Sequence, residues 1–200
     1  MRRTLAQRHD GDPMARGAAP AREPAGFRYL ADFIDASDEA RLLAAIERLS
    51  FEPVVFRGVT ARRAVVHFGA RYLYASRAVG PAPPLPDFLL PVARRAAAVA
   101  GFPAKASIEA LVTRYPPGAG IGWHRDSPVF GPSLAGLSLG AACELRLRHR
   151  APEGRVVFRQ PLAPRSLYVL GDEVRASWEH MIPPVEALRY SVTFRTFRQA

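Results

Sequence analysis

Apolar and polar positions change rhythm along this chain. Residues 1–25 mix Gly, Ala, Pro, Arg and Asp with no apolar period. That predicts a disordered tail ahead of one folded domain over 26–200. Residues 27–33 (FRYLADF) open the domain as a strand. Leu42, Leu43, Ile46 and Leu49 then recur at helical spacing behind Ser37 or Asp38, so a capped helix is expected to run to Leu49. Residues 51–69 predict short strands with turns. PAPPLP (81–86) is a stiff connector to a second helix over 87–100. Pro91 is tolerated in its first turn and Gly101 stops it.

From Ala106 the period drops to two. Ile108, Ala110 and Val112 alternate with Glu109, Leu111 and Thr113. Further strands are expected over 134–139, 143–148, 156–158 and 166–170, with turns at APEGR and LGD between them. The chain closes on RYSVTFRTF (189–197), a strongly alternating stretch. Two early helices followed by regularly spaced short strands give an α+β, mainly β fold. The expectation is a double-stranded β-helix, or jelly roll, with the N-terminal helices packed on it.

Composition adjusts this picture only slightly. A chain of 200 residues, 48% hydrophobic and 23% charged, can bury a real core as one domain. No run reaches the roughly 18 apolar residues of a membrane span. The first residues, MRRTLAQRHDGD, lack the apolar stretch of a secretory signal. Cys143 stands alone and cannot form an internal disulfide. These readings predict a cytoplasmic monomer with no membrane partner. Net charge is +10, carried almost wholly by Arg, with Lys105 the only lysine. A basic surface attracts phosphates, but this charge is dispersed along the chain and points only weakly to nucleic acid.

The candidate chemistry sits in TRYPPGAGIGWHRD (113–126). His124 and Asp126 are two apart, so in an extended segment an imidazole and a carboxylate point at one spot. That is two thirds of a 2-His-1-carboxylate set, which binds Fe(II) and leaves open positions. His180 lies 54 residues beyond Asp126, a reasonable distance for strands that meet inside a barrel. His67 is its one serious rival, since His9 lies in the tail and His149 among arginines. On the last strand Arg189, Ser191, Thr193 and Arg195 share a face. Two guanidiniums and two hydroxyls make a poor core but a good dicarboxylate site. Thr113 and Tyr115 share a face upstream and supply further hydroxyls. Tyr72 and Tyr74, beside Arg71 and Arg77, suit stacking on a flat base and equally suit a half-buried strand. Trp123 and Trp178 flank the proposed ligands and read as core.

Taken together, RYPPGAGIGWHRD, the SLG of 138–140, His180 and RYSVTFR (189–195) resemble the AlkB family of Fe(II)/2-oxoglutarate dioxygenases over about residues 27–198. The resemblance implies a jelly roll with Fe(II) on His124, Asp126 and His180, and with O2 as oxidant. It implies that Arg189 pairs with the distal carboxylate of 2-oxoglutarate. Tyr115, Ser191 and Arg195, with Thr113 nearby, would line the rest of that pocket. The family's aromatic lid over the substrate maps onto Tyr72, Leu73 and Tyr74. Its activity is oxidative demethylation of N-alkylated DNA or RNA bases, with protein as a further substrate class. Two positions depart from the DNA-repair members: Thr113 replaces an Asn, and Pro128 stands where they carry an acid that contacts the base. Two rivals remain at this point. One is a nucleic-acid-binding module with a vestigial metal site. The other is a zinc hydrolase, which leaves Arg189 and Arg195 without a task.

Overall fold

The computed structural model describes residues 22–56, 58–73, 78–152 and 154–198. Helix α1 (Ala36–Ile46) is capped by Asp35, whose carboxylate accepts the Asp38 N–H at 2.7 Å. The cap thus falls ahead of Ser37 and Asp38, because an N-cap side chain reaches forward to the third residue's N–H. The helix also ends three residues early, and Leu49 packs on the core from the turn that follows. Helix α2 (Leu90–Ala100) starts after a turn over 87–89, with Pro91 in its first turn as expected. Gly101 closes it at φ 68°, a left-handed conformation that favours glycine.

A large antiparallel sheet runs in the order β1 (Phe27–Leu30), β11 (Leu167–Leu170), β8 (Phe130–Gly140), β13 (Arg189–Phe197), β6 (Ile108–Tyr115), β3 (Val59–Phe68) and β2 (Glu52–Phe56). A smaller sheet is ordered β10 (Gly154–Leu162), β9 (Cys143–Ala151), β12 (Glu179–Ile182) and β7 (Ile121–His124). A separate hairpin pairs β4 (Ala70–Leu73) with β5 (Ala78–Pro81). The arrangement is the expected mainly-β double-stranded β-helix with helices on one side.

The alternation of β13 explains the layering. Tyr190, Val192 and Phe194 join α1, α2, Ala110, Val112, Leu137 and Leu139 in one core. The opposite face of β13 looks into the sandwich, where Leu145, Leu147, Leu162, Ile182, Tyr115 and Trp178 form a second. Each face of the closing strand therefore has a distinct neighbour, apolar outside and polar inside. Gly136 permits close approach within the sandwich: a Cβ there would lie 2.2 Å from the Tyr168 ring.

Some expectations shift. Pro24 and Ala25, expected in the tail, are bonded into the fold: the Phe27 N–H donates to the Pro24 carbonyl and the Val174 N–H to the Ala25 carbonyl. Residues 1–21 of that tail lie outside the described residues, as does Tyr74. Strand β1 stops at Leu30 because the chain turns to bury Phe33 and Ile34. The stretch after Gly171 forms a short helix, α3 (Asp172–Ser177), not anticipated from the pattern. Trp178 is core, but Trp123 is half-buried on the outer face of the small sheet, under the Arg148 guanidinium at 4.4 Å. Among the described residues no helix is long and apolar enough to cross a membrane.

Candidate active site

His124 ends β7 and His180 lies on β12, and the two are directly opposed across the ladder. Their imidazole centroids are 4.1 Å apart. Asp126 follows just beyond the end of β7, with its Oδ1 3.8 Å from His124 Nε2. One nitrogen or oxygen from each of His124, Asp126 and His180 lies within 4.8 Å of the other two. His124 Nδ1 sits 2.9 Å from the Gly122 carbonyl, which directs Nε2 inward as the coordinating nitrogen. Two imidazoles and a carboxylate brought together in this way suit a divalent transition ion with open positions.

The electrostatics favour the ligating forms. Burial alone would push the Asp126 carboxyl up, but Arg195, His180, Arg175 and His124 together hold it down at about 2. Burial, helped by the neighbouring His124, pushes His180 down to about 3 against the pull of Asp126. At neutral pH the carboxyl is ionised and the imidazole uncharged, the forms that coordinate a metal. His67 stands apart: its Nδ1 is 2.9 Å from Glu109 Oε1, away from the three.

Beside them lies the polar face of β13. Arg189 is only 1% exposed; its Nη2 donates to Ser138 Oγ at 3.1 Å and its guanidinium lies over the Tyr115 ring. Its Nε and Nη1 are buried without a hydrogen-bond partner. An unpaired buried guanidinium is costly, and an acceptor-rich anion is the group that satisfies it. Thr113 is opposed to Ser191 across the β6–β13 ladder and Tyr115 to Arg189; both residues of β6 are buried. The Thr113, Tyr115, Arg189, Ser191 set therefore converges as a cradle.

Arg195 is more constrained than its sequence position suggested. Its Nε and Nη2 donate to Glu109 Oε2 at 2.9 and 2.7 Å, its Nη1 is 3.5 Å from Asp126 Oδ2, and its plane stacks on Phe130 at 3.8 Å. Glu109 is fully buried and joins Arg195 to His67. Sequence reasoning missed Glu109, although a charge within a buried alternating strand was the available signal. It also missed Phe130, Ser138 and Tyr168, whose hydroxyl burial pushes well above the usual phenol range. Tyr72 meets Phe130 edge-on at 5.8 Å, so the β4–β5 hairpin leans on the residue that supports Arg195. Leu73 packs over Gly80, where a Cβ would lie 2.9 Å from its Cδ1.

Known proteins resemble the chain in the same respects. The family model described as "2OG-Fe(II) oxygenase superfamily" matches residues 27–195. An Arabidopsis thaliana protein named "Alkylated DNA repair protein ALKBH8 homolog" is 27% identical over 79% of this chain and 51% of its own length. A Danio rerio "Probable RNA/DNA demethylase ALKBH6" is 29% identical over 49% of this chain and 46% of its own. The chain spans about half the length of the curated relatives it matches. The structure of OsALKBH1 superposes with a TM-score of 0.68 at 16% identity, over 88% of this chain and 98% of that one. A Pseudomonas putida prolyl-4-hydroxylase gives 0.61 at 18% identity, over 86% and 93%.

Proposed function

From the premise that this chain belongs to the 2OG-Fe(II) oxygenase superfamily and is AlkB-like, we propose that it removes alkyl groups oxidatively from N-alkylated nucleic acid. It is a dioxygenase, an oxidoreductase whose cofactors are Fe(II), 2-oxoglutarate and O2. In this reading His124, Asp126 and His180 hold the iron. Arg189, with Nε and Nη1 still lacking partners, would take the distal carboxylate of 2-oxoglutarate. Tyr115, Ser191, Thr113 and Arg195 line the remaining pocket. When bound, the iron and co-substrate supply hydroxylation of a substrate C–H; an N-methyl carbon so hydroxylated leaves as formaldehyde.

The protein's own part is placement. Arg195, clamped between Glu109 and Asp126, fixes the carboxylate ligand. Arg189 and Tyr115 orient the keto-diacid. Tyr72 and Leu73 cover the substrate and keep water out. The names of the two relatives above support nucleic acid over protein. Pro128 is exposed and its side chain cannot accept a hydrogen bond, so base selection falls to the hairpin lid. The lone thiol fits a monomer in a reducing cytoplasm.

The observation that carries the reading is Arg189: buried, half-satisfied and beside a His/Asp/His cluster. A zinc hydrolase leaves that guanidinium without a partner. The test is formaldehyde release from a panel of N-methylated DNA, RNA and peptides with Fe(II), ascorbate and 2-oxoglutarate. Release from oligonucleotides is the expected result. Release from peptides alone overturns the substrate class, and no succinate under any condition overturns the enzyme assignment.

A further inference from the structure

The small sheet has a second face, turned away from the metal cluster. On β9 the odd positions Leu145 and Leu147 point into the sandwich, so Arg146, Arg148 and Arg150 point out. On β10 Val156 and Phe158 pack inward, so Arg155 and Arg159 point out. The register sets Arg155 opposite Arg150 and Arg159 opposite Arg146. Trp123 extends the same face across β12, where Glu179 neighbours Arg148.

Its acids neutralise it only in part, although Glu179 also feels the charges of Arg125 and Arg155. Glu144 is shared by Arg146 and Arg159, and Glu179 pairs with Arg148 at 2.6 Å. Among the described residues, Arg150 and Arg155 have no carboxylate at ion-pair distance, although both are exposed. Glu153 lies outside those residues. Like charges directly opposed on a sheet destabilise it, so this pair works against folding. A feature that costs stability and forms a regular cationic row points to a partner that neutralises it.

We propose that the outer face of the small sheet is a binding surface for the phosphodiester backbone of nucleic acid, reached independently of the metal site. The class of ligand rests on the dealkylase reading; the surface itself rests on the arginine register. Two guanidinium rows lie about 5 Å apart. Alternate residues advance roughly 6.6 Å along each strand, which suits an extended polyanion. A membrane fits poorly, because the large exposed apolar side chains, Val55, Val59, Val79 and Leu188, lie off this face. The surface would hold a strand by its backbone, with no base preference, while another stretch enters the pocket.

The experiment is fluorescence anisotropy with the full chain and an unmodified, fluorescein-labelled single-stranded oligonucleotide across a salt series. The Arg150→Glu/Arg155→Glu variant should bind at least tenfold more weakly at low salt. Its log–log salt slope should flatten by about 1.4, two phosphate contacts at roughly 0.7 each. Arg189→Ala should bind the same oligonucleotide as the parent does. Substrate-free succinate production by the double variant should be unchanged, which checks folding. Parent-like affinity and slope in the double variant overturn the proposal. So does equal binding to phosphatidylserine vesicles. If formaldehyde never forms yet the arginine effect holds, the dealkylase reading fails and the surface stands. If formaldehyde forms and the arginine effect is missing, the surface alone fails.

Discussion

The inner face of β13 in the large sheet and the outer face of the small sheet carry the same residue type in opposite settings. Inside, Arg189 and Arg195 are almost wholly buried, each with a designed environment: a serine and an aromatic ring for one, a carboxylate on either side for the other. Outside, Arg150 and Arg155 face solvent and each other. A guanidinium in water is worth little until a partner comes, and salt screens it. A guanidinium in the interior is costly unless every nitrogen is engaged. The interior pair should therefore govern co-substrate affinity and stability, and the exterior pair should govern salt-dependent adhesion.

The comparison can be broken most sharply at the metal cluster between the two faces. His124→Ala should abolish succinate formation, and parent-like turnover would remove the cluster from the mechanism. Next is Arg189→Ala, which truncates a buried charge and should cost about 2–5 kcal/mol of 2-oxoglutarate binding, a roughly 30- to several-thousand-fold rise in its dissociation constant. Calorimetry with Mn(II) in place of iron reads this without turnover. Arg189→Lys should recover only part of the loss, since an ammonium lacks the planar fork.

Glu109→Gln comes third. It leaves Arg195 buried against half its former partner and should lower unfolding stability by about 3 kcal/mol, read from denaturant midpoints. Adding Arg195→Met should return part of that stability while leaving Asp126 without its neighbour. A fully additive pair would mean that the two side chains are uncoupled. By contrast, Arg150→Glu should raise stability by a few tenths of a kcal/mol, because it turns a repulsive cross-strand pair into an attractive one. The smallest effect concerns Cys143. Burial raises its thiol above the ordinary range against the opposing pull of Arg189. Less thiolate is then present at a given pH, so iodoacetamide should label it more slowly than a free thiol, with the rate rising at a higher pH.

Much of this was legible before any coordinates. Period-two alternation on β13 separated its apolar face from its arginine face, because a strand fixes side-chain parity regardless of its neighbours. The approach of His124 to Asp126 was legible for the same reason, and Gly101 stopped α2 where expected. What escaped depended on partners far away in the chain. Asp35 took the cap of α1 by reaching the Asp38 N–H, while Ser37, one of the two expected caps, donates to Asp35 instead. Trp123 looked like core, yet the register of β7 turned it outward beneath Arg148. Glu109 read as an ordinary alternating polar residue, since its two partners lie 42 and 86 positions away. Local pattern reports which face a residue occupies, and only topology reports what waits there.

Strand β7 is the margin of its sheet, joined to the remainder only through β12. His124 and His180 sit on either side of that single seam. Any ion gripping both rings would act as a rivet across it, so stripping the ion with a chelator should let β7 fray. Amide exchange along Ile121–His124 would then quicken while β13, hemmed in on both sides, stayed protected.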